Sequence, residues 1–278
     1  MKLKTAEAKK IKVDDCTQYL NTSISKFEFY RLVNVIIESF LHKLLSFGFK
    51  RQEFFLFRIK NNILQKIVFE TDYFRGAIRI IFCVQPIFGL KKDIGYNDRV
   101  AEFKDFDPNG YRWYLIDEET LESLLLHFED IMLKKAMPYF ETLSSPTKII
   151  NNRAKFEKNN DRFNDLILFS ALFKGNKALA RYYLENKLLE LKKDQEVQWS
   201  QKQFFYYKTI QKYLKKDDMA QIKKMLKKNK DGFLNYNNLG DKVIRSSAFK
   251  MVFLFVVCLA LVAMMLYPFL RLFFTGDV

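Results

Sequence analysis

The run Met251 to Leu270 contains twenty residues without a single charge. At about 1.5 Å rise per residue a helix of that length covers the roughly 30 Å of a bilayer's hydrocarbon core. It shows no polar stripe, so it predicts a lipid-facing transmembrane helix rather than a half-buried soluble one. Pro268 falls in the last turn, where a missing backbone donor matters little. Lys242, Arg245 and Lys250 precede the run and only Arg271 follows it, which sets the N-terminal side in the cytoplasm. The N-terminal stretch Met1 to Lys10 has no apolar centre and does not read as a signal peptide. The expectation is a single-pass, tail-anchored protein whose body is cytoplasmic and whose C-terminus lies on the far side.

Apolar residues make up 49% of the chain and aromatics 16%, enough for a packed core ahead of the anchor. Three cysteines, Cys16, Cys83 and Cys258, suggest no disulfide framework. The net charge of +15 is concentrated: nine lysines against Asp217 and Asp218 lie between Lys208 and Lys230. This block, with Lys215, Lys216, Lys223, Lys224, Lys227 and Lys228 at its centre, reads as a contact with anionic lipid, worth about 1 kcal/mol per lysine near the surface. A solvated helix face explains it equally well, and nucleic-acid binding is a third reading.

Periodicity divides the rest. Residues 1–22 form a polar arm, 23–155 an α+β domain, 156–230 a helical region, 231–249 a juxtamembrane linker, 250–271 the transmembrane helix and 272–278 a short tail. Ser25-Lys-Phe-Glu28 has the spacing of a capping box, and Leu32, Val33, Ile36, Ile37, Phe40, Leu41 and Leu44 repeat at helical intervals up to Gly48. Three strands follow over 53–60, 63–70 and 77–84, with Asn61-Asn62 as a two-residue hairpin turn. Phe55, Phe57 and Ile59, then Ile63, Ile67 and Phe69, then Ile78, Ile80 and Phe82 alternate, and the expectation is that they form one apolar side covered by the first helix. Residues 85–109 are irregular. Tyr111 to Ile116 reads as a further strand, and Asp117 as the cap of a helix carrying Leu121, Leu124, Leu125, Phe128, Ile131 and Met132 inward. Glu118, Glu119 and Glu122 early in that helix and Lys134 and Lys135 late suit its dipole. After Ser145-Pro146 the pattern is helical, and residues 171–177 and 212–218 repeat a helix end, a tight turn and a new helix about forty residues apart.

Several of these pieces occur in an order known elsewhere. The run from Leu44 through Gly48-Phe49-Lys50-Arg51, then Phe54 to Arg58, Ile63-Leu-Gln65-Lys-Ile67-Val-Phe69, Ile80 to Pro86 and Ala136-Met-Pro138-Tyr-Phe140 resembles the bacterial family called domain of unknown function 4304, over about residues 27–155. The resemblance implies an α+β domain with no established activity and, through relatives resembling immunity proteins of toxin systems, a protein partner. Residues 85–109 and the C-terminal run stand outside its pattern.

Motifs for chemistry are sparse. The scattered glycines form neither a P-loop nor a dinucleotide fingerprint, and His42 and His127 have no paired-ligand spacing. Cys83 with His127 would make a nucleophile and base, but a strand cysteine reads first as a small core residue. Asp105, Asp107, Asn109 and Gly110 match the start of a calcium loop, yet the twelfth position is Ile116, so a side-chain-stabilised turn is the better reading. No catalytic residue, cofactor or metal is assigned. The expected function is a non-enzymatic interaction protein at the cytoplasmic membrane face, of the toxin-immunity type, bound to lipid and to a protein partner. The alternatives are a membrane-attached enzyme without a recognisable motif and a membrane-tethered nucleic-acid binder.

Overall fold

The computed structural model describes residues 24–90, 99–157, 163–193, 198–237 and 239. The 1–22 arm, the run Met251 to Leu270, Lys242, Arg245, Lys250, Cys16 and Cys258 lie outside these residues. Among the described residues no helix is long and apolar enough to cross a membrane.

The fold is α+β. Helix α1, Lys26–Leu44, opens on Ser25, whose hydroxyl accepts from the Glu28 backbone N–H at 3.1 Å. The second half of the expected capping box does not form, because the Glu28 carboxylate accepts instead from Arg31 at 2.9 Å. Phe29, Leu32, Val33, Ile36, Ile37, Phe40 and Leu44 are buried, and a short 3₁₀ turn ends at Gly48 with φ of 82°.

An antiparallel sheet runs β1 (Lys50–Gln52), β2 (Phe55–Lys60), β3 (Ile63–Asp72), β4 (Ala77–Pro86) and β5 (Arg99–Glu102) in that order, and β6 (Tyr114–Leu115) pairs with β4. The β2–β3 turn is Asn61-Asn62, with φ of 50° and 67°, the left-handed pair that suits the right-handed twist of a hairpin. Glu53 does not begin a strand: it lies at φ 47° in the turn that joins the polar β1 to β2. The expected strand over 111–116 shrinks to two residues, and the irregular 85–109 region contains β5.

Register corrects the expected apolar side. Leu56 pairs with Ile67 and Ile67 with Phe82, so these three share one face, together with Phe69, Ile80 and Ile78. Phe55 instead pairs with Val68, and Val68 with Ile81, so Phe55, Phe57 and Ile59 point to the other side. The reason is geometric: a two-residue turn pairs Lys60 with Ile63, which puts even-numbered residues of β2 on the face of odd-numbered residues of β3. Ile59 is accordingly 38% exposed, while Val68, Ile81 and Cys83 form a small second cluster with Phe55 against it.

Helix α1, helix α2 (Leu121–Ile131) and helix α3 (Met137–Thr142) cover the first face, Phe40 meeting Phe69 and Phe128, and Phe140 meeting Phe82 and Phe49. Helix α2 begins later than Asp117, whose carboxylate organises the preceding turn by accepting from the Thr120 N–H and hydroxyl, each at 2.7 Å. A wide π turn, Met132–Ala136, separates α2 from α3, and Pro138 follows it. A proline that cannot donate is accommodated by such a loosened turn.

The helical half contains α4 (Pro146–Asn151), α5 (Arg153–Glu157), α6 (Asn164–Lys174), α7 (Lys177–Lys193), α8 (Gln198–Lys215) and α9 (Met219–Tyr236). Helix α4, assigned by sequence to the α+β part, packs on α6. Helix α9 runs on to Tyr236, so the first residues of the expected 231–249 linker are helical. Phe88, just past β4, stacks on Phe173 with ring centroids 4.5 Å apart, and its carbonyl accepts from Asn229 of α9 at 3.2 Å. Sheet and helices thus share one continuous core.

Candidate functional site

Three charged regions differ in how completely their groups are partnered. The first ties β2 to α3. Arg58, with only 3% of its side chain exposed, donates to Gln65 Oε1 at 2.7 Å, to the Phe47 carbonyl at 2.9 Å and to Glu141 Oε1 at 2.6 Å. Its guanidinium also lies 4.9 Å from the centre of the Phe49 ring. Lys60 reaches the same carboxylate at 2.9 Å, and Gln65 passes its own amide N–H to the Phe140 carbonyl. Burial pushes the Glu141 carboxyl up, but the hydrogen bonds from Lys60 and Arg58 outweigh it and hold its pKa at about 2. A buried cation whose three nitrogens each donate to a neighbouring element is a structural tie rather than a ligand site.

The second region answers the calcium-loop question. Asp107 is withdrawn from solvent: its Oδ1 accepts from the Asn109 N–H at 2.9 Å, and its Oδ2 meets the Tyr114 hydroxyl and lies 3.1 Å from His127 Nε2. Burial acts to raise the Asp107 pKa, and the donors from Tyr114, Asn109 and His127 more than reverse it. Asp105 points elsewhere, accepting from the Glu102 N–H at 2.8 Å. The two acids therefore do not converge on one point, and among the described residues no group of three or more acidic, cysteine or histidine side chains is placed to hold a metal. Cys83 belongs to the second sheet face and Tyr114, which touches His127 through Asp107, to the first, so the sheet stands between Cys83 and His127. His42 is exposed near the end of α1.

The third region is the lysine block. Helices α6 and α7 and helices α8 and α9 are joined by the same turn twice. Gly175 (φ 74°) and Asp217 (φ 58°) occupy the left-handed position, and the next residue's N–H reaches back to Ala171 O at 2.9 Å in one copy and to Tyr213 O at 2.9 Å in the other. That next residue, Asn176 or Asp218, then caps the following helix, accepting at 3.1 Å from Leu179 N–H or Gln221 N–H. The faint repeat in the sequence is thus a repeated helical hairpin. The two turns are fastened together, since Asp217 pairs with Lys177 at 2.5 Å and Arg181 donates to the Leu214 carbonyl at 3.0 Å.

Lys215, Lys216, Lys223, Lys224, Lys227 and Lys228 are all exposed, and none of them forms an ion pair with a described residue. On α9 the buried residues are Ile222, Leu226 and Phe233. At 100° per residue these define one side, and Lys223, Lys224, Lys227 and Lys228 fall on the other. The topology-setting Lys242, Arg245 and Lys250 lie outside the described residues.

Sequence reading missed two surface features. One is a chain of ring contacts at the start of α1, Phe54 to Tyr30 to Phe29 to Tyr73 to Phe74, with Phe74 73% exposed, and Phe27 in the first turn of the same helix is 82% exposed. Its members come from α1 and two hairpin turns, so no local periodicity announces it. The other is a charged network on the second sheet face: Arg99 lies 2.7 Å from Glu102, Arg79 meets Glu70 and stacks on Trp113, and Arg79 Nε and Glu102 Oε2 have no hydrogen-bond partner among the described residues. The available signal was Glu70 and Arg79, equally far from the turn between β3 and β4 and directly opposite in the register.

No family model, no curated protein and no solved structure matches the chain.

Proposed function

We propose that this chain is a tail-anchored, non-enzymatic interaction protein of the cytoplasmic membrane face, held by the helix Met251 to Leu270 with the lysines of α9 against anionic lipid. The observation that carries the reading is the set of six exposed lysines without ion-pair partners among the described residues, placed on one helical hairpin ahead of the apolar run. Unpaired cations on a folded face are free to meet lipid phosphates at no cost in broken ion pairs. The aromatic ridge from Phe54 through Tyr30 to Phe74, with exposed Phe27 on the same helix as Tyr30, supports a protein partner for the α+β half, since exposed aromatic area is the usual substance of an interface centre. The resemblance to domain of unknown function 4304 makes toxin neutralisation the specific form of that partnership. Anchoring would concentrate the protein where an incoming toxin emerges.

Alkaline carbonate treatment of membranes carrying the full chain tests the anchor: the protein is expected to stay in the pellet, and its release to the supernatant would end this reading. A photo-crosslinking residue at Phe74 is expected to trap one defined polypeptide, and loss of that product in a Phe27→Ser/Phe54→Ser chain ties it to the ridge.

A further inference from the structure

Helix α8 carries a feature that counting charge does not reveal. Its buried residues Gln203, Tyr207, Ile210 and Leu214 follow steps of four, three and four, so its opposite face points away from the core. At the middle of that outward face stands Phe205, 69% exposed, with Lys208, Lys212, Lys215 and Lys216 exposed on the same side. Helix α8 contains no acidic residue. Helix α9, folded back beside it, turns Lys223, Lys224, Lys227 and Lys228 outward.

We propose that the α8–α9 hairpin is a peripheral lipid-binding element in which Phe205 enters the headgroup–acyl boundary of an anionic leaflet while the lysines around it contact lipid phosphates. This deepens the membrane reading above and rests on it. A phenyl ring surrounded by ammonium groups is poorly served by water, whereas the boundary of an anionic leaflet buries the ring and leaves the ammoniums hydrated beside phosphate. The tether fixes the partner. Only the residues between Tyr236 and Met251 separate α9 from the apolar run, and even fully extended they reach about 50 Å, so the hairpin cannot leave the neighbourhood of the leaflet. Nucleic acid would satisfy the same ring and the same charges by stacking and phosphate contact, but nothing confines it there.

The test uses the full chain carrying Phe205→Trp, reconstituted in vesicles whose lipids bear bromine on the acyl chain, with the unaltered chain's emission subtracted. In vesicles containing phosphatidylserine the added emission is expected to shift to the blue and fall about twofold or more, with little quenching in phosphatidylcholine alone and partial recovery at high salt. Changing Lys208, Lys212, Lys215, Lys216, Lys223, Lys224, Lys227 and Lys228 together to glutamine is expected to restore the emission. As a check independent of the substitution, amide exchange in residues 198–215 of the unaltered chain is expected to slow in the anionic vesicles only. Absence of quenching and of slowed exchange in anionic vesicles overturns the proposal, as does equal quenching in both lipids or loss of quenching on adding a single-stranded oligonucleotide. Failure of the chain to float with either vesicle overturns the anchor itself and this proposal with it, so the two failures are distinguishable.

Discussion

Arg58 and the lysines of α9 are both cations, yet the fold uses them in opposite ways. Arg58 is buried against β3 and α3 with donors committed to Gln65, Phe47 and Glu141. Lys215 and Lys216 close α8, while Lys223, Lys224, Lys227 and Lys228 project from α9, whose buried residues lie on its other side, and none of the six meets a described carboxylate. A charge that has been dehydrated must be fully partnered to persist, and it then has nothing left for a ligand. A charge left in water costs the fold nothing and stays available. The contrast separates structural from functional charge without any motif, and each of the following changes is a way to break or sharpen it.

Arg58→Met should have the largest effect, about 3–5 kcal/mol lost in chemical denaturation, because it takes one cation from Glu141 and leaves both the buried Gln65 Oε1 and the Phe47 carbonyl without their donor. Adding Glu141→Gln to that change should cost less than the sum of the two single losses, since both act through one pair. The same pair predicts an acid limb. The Glu141 pKa is held at about 2, below the ordinary 4.5, so its contribution is full above about pH 4.5 and is lost as the pH falls toward 2. Denaturation midpoints measured across that window should flatten in Glu141→Gln. Asp107→Ala should come next, at about 1–3 kcal/mol, because the buried Tyr114 hydroxyl loses its acceptor. Asp218→Ala removes the cap of α9 and should cost about 1 kcal/mol by thermal melting. Smallest of all, each of Lys215, Lys216, Lys223, Lys224, Lys227 and Lys228 changed to glutamine should move stability by under about 0.5 kcal/mol. A large loss of stability in the six-lysine variant would show that these charges support the fold and would dissolve the contrast.

Much of the architecture can be read from short-range pattern. The inward residues of α1 appear in the spacing of Leu32, Val33, Ile36, Ile37, Phe40 and Leu44, the β2–β3 turn in Asn61-Asn62, and the helical repeat in the matching segments around Gly175 and Asp217. The face of β2 was misread because Phe54-Phe-Leu-Phe places apolar residues on both parities, and parity alone cannot choose. The turn could have chosen: closing Asn61-Asn62 with two residues forces Leu56 opposite Ile67. β5 was hidden because Arg99 and Glu102 on an edge next to irregular chain carry no alternation.

For the charged regions the division is sharper. The outward lysines of α9 follow from sequence alone, because helical period and the apolar positions Ile222, Leu226 and Phe233 together settle which residues face water. The meeting of Asp107, Tyr114 and His127, the enclosure of Arg58 by Gln65 and Glu141, and the aromatic ridge from Phe54 to Phe74 belong to tertiary structure. In each, the partners come from different elements, and the sheet register and the packing of α1, α2 and α3 on the sheet bring them within hydrogen-bond or ring-contact distance. Local pattern reports which side of its own element a residue occupies, since that is fixed by backbone geometry. It is silent on what waits opposite, since that depends on how the chain returns.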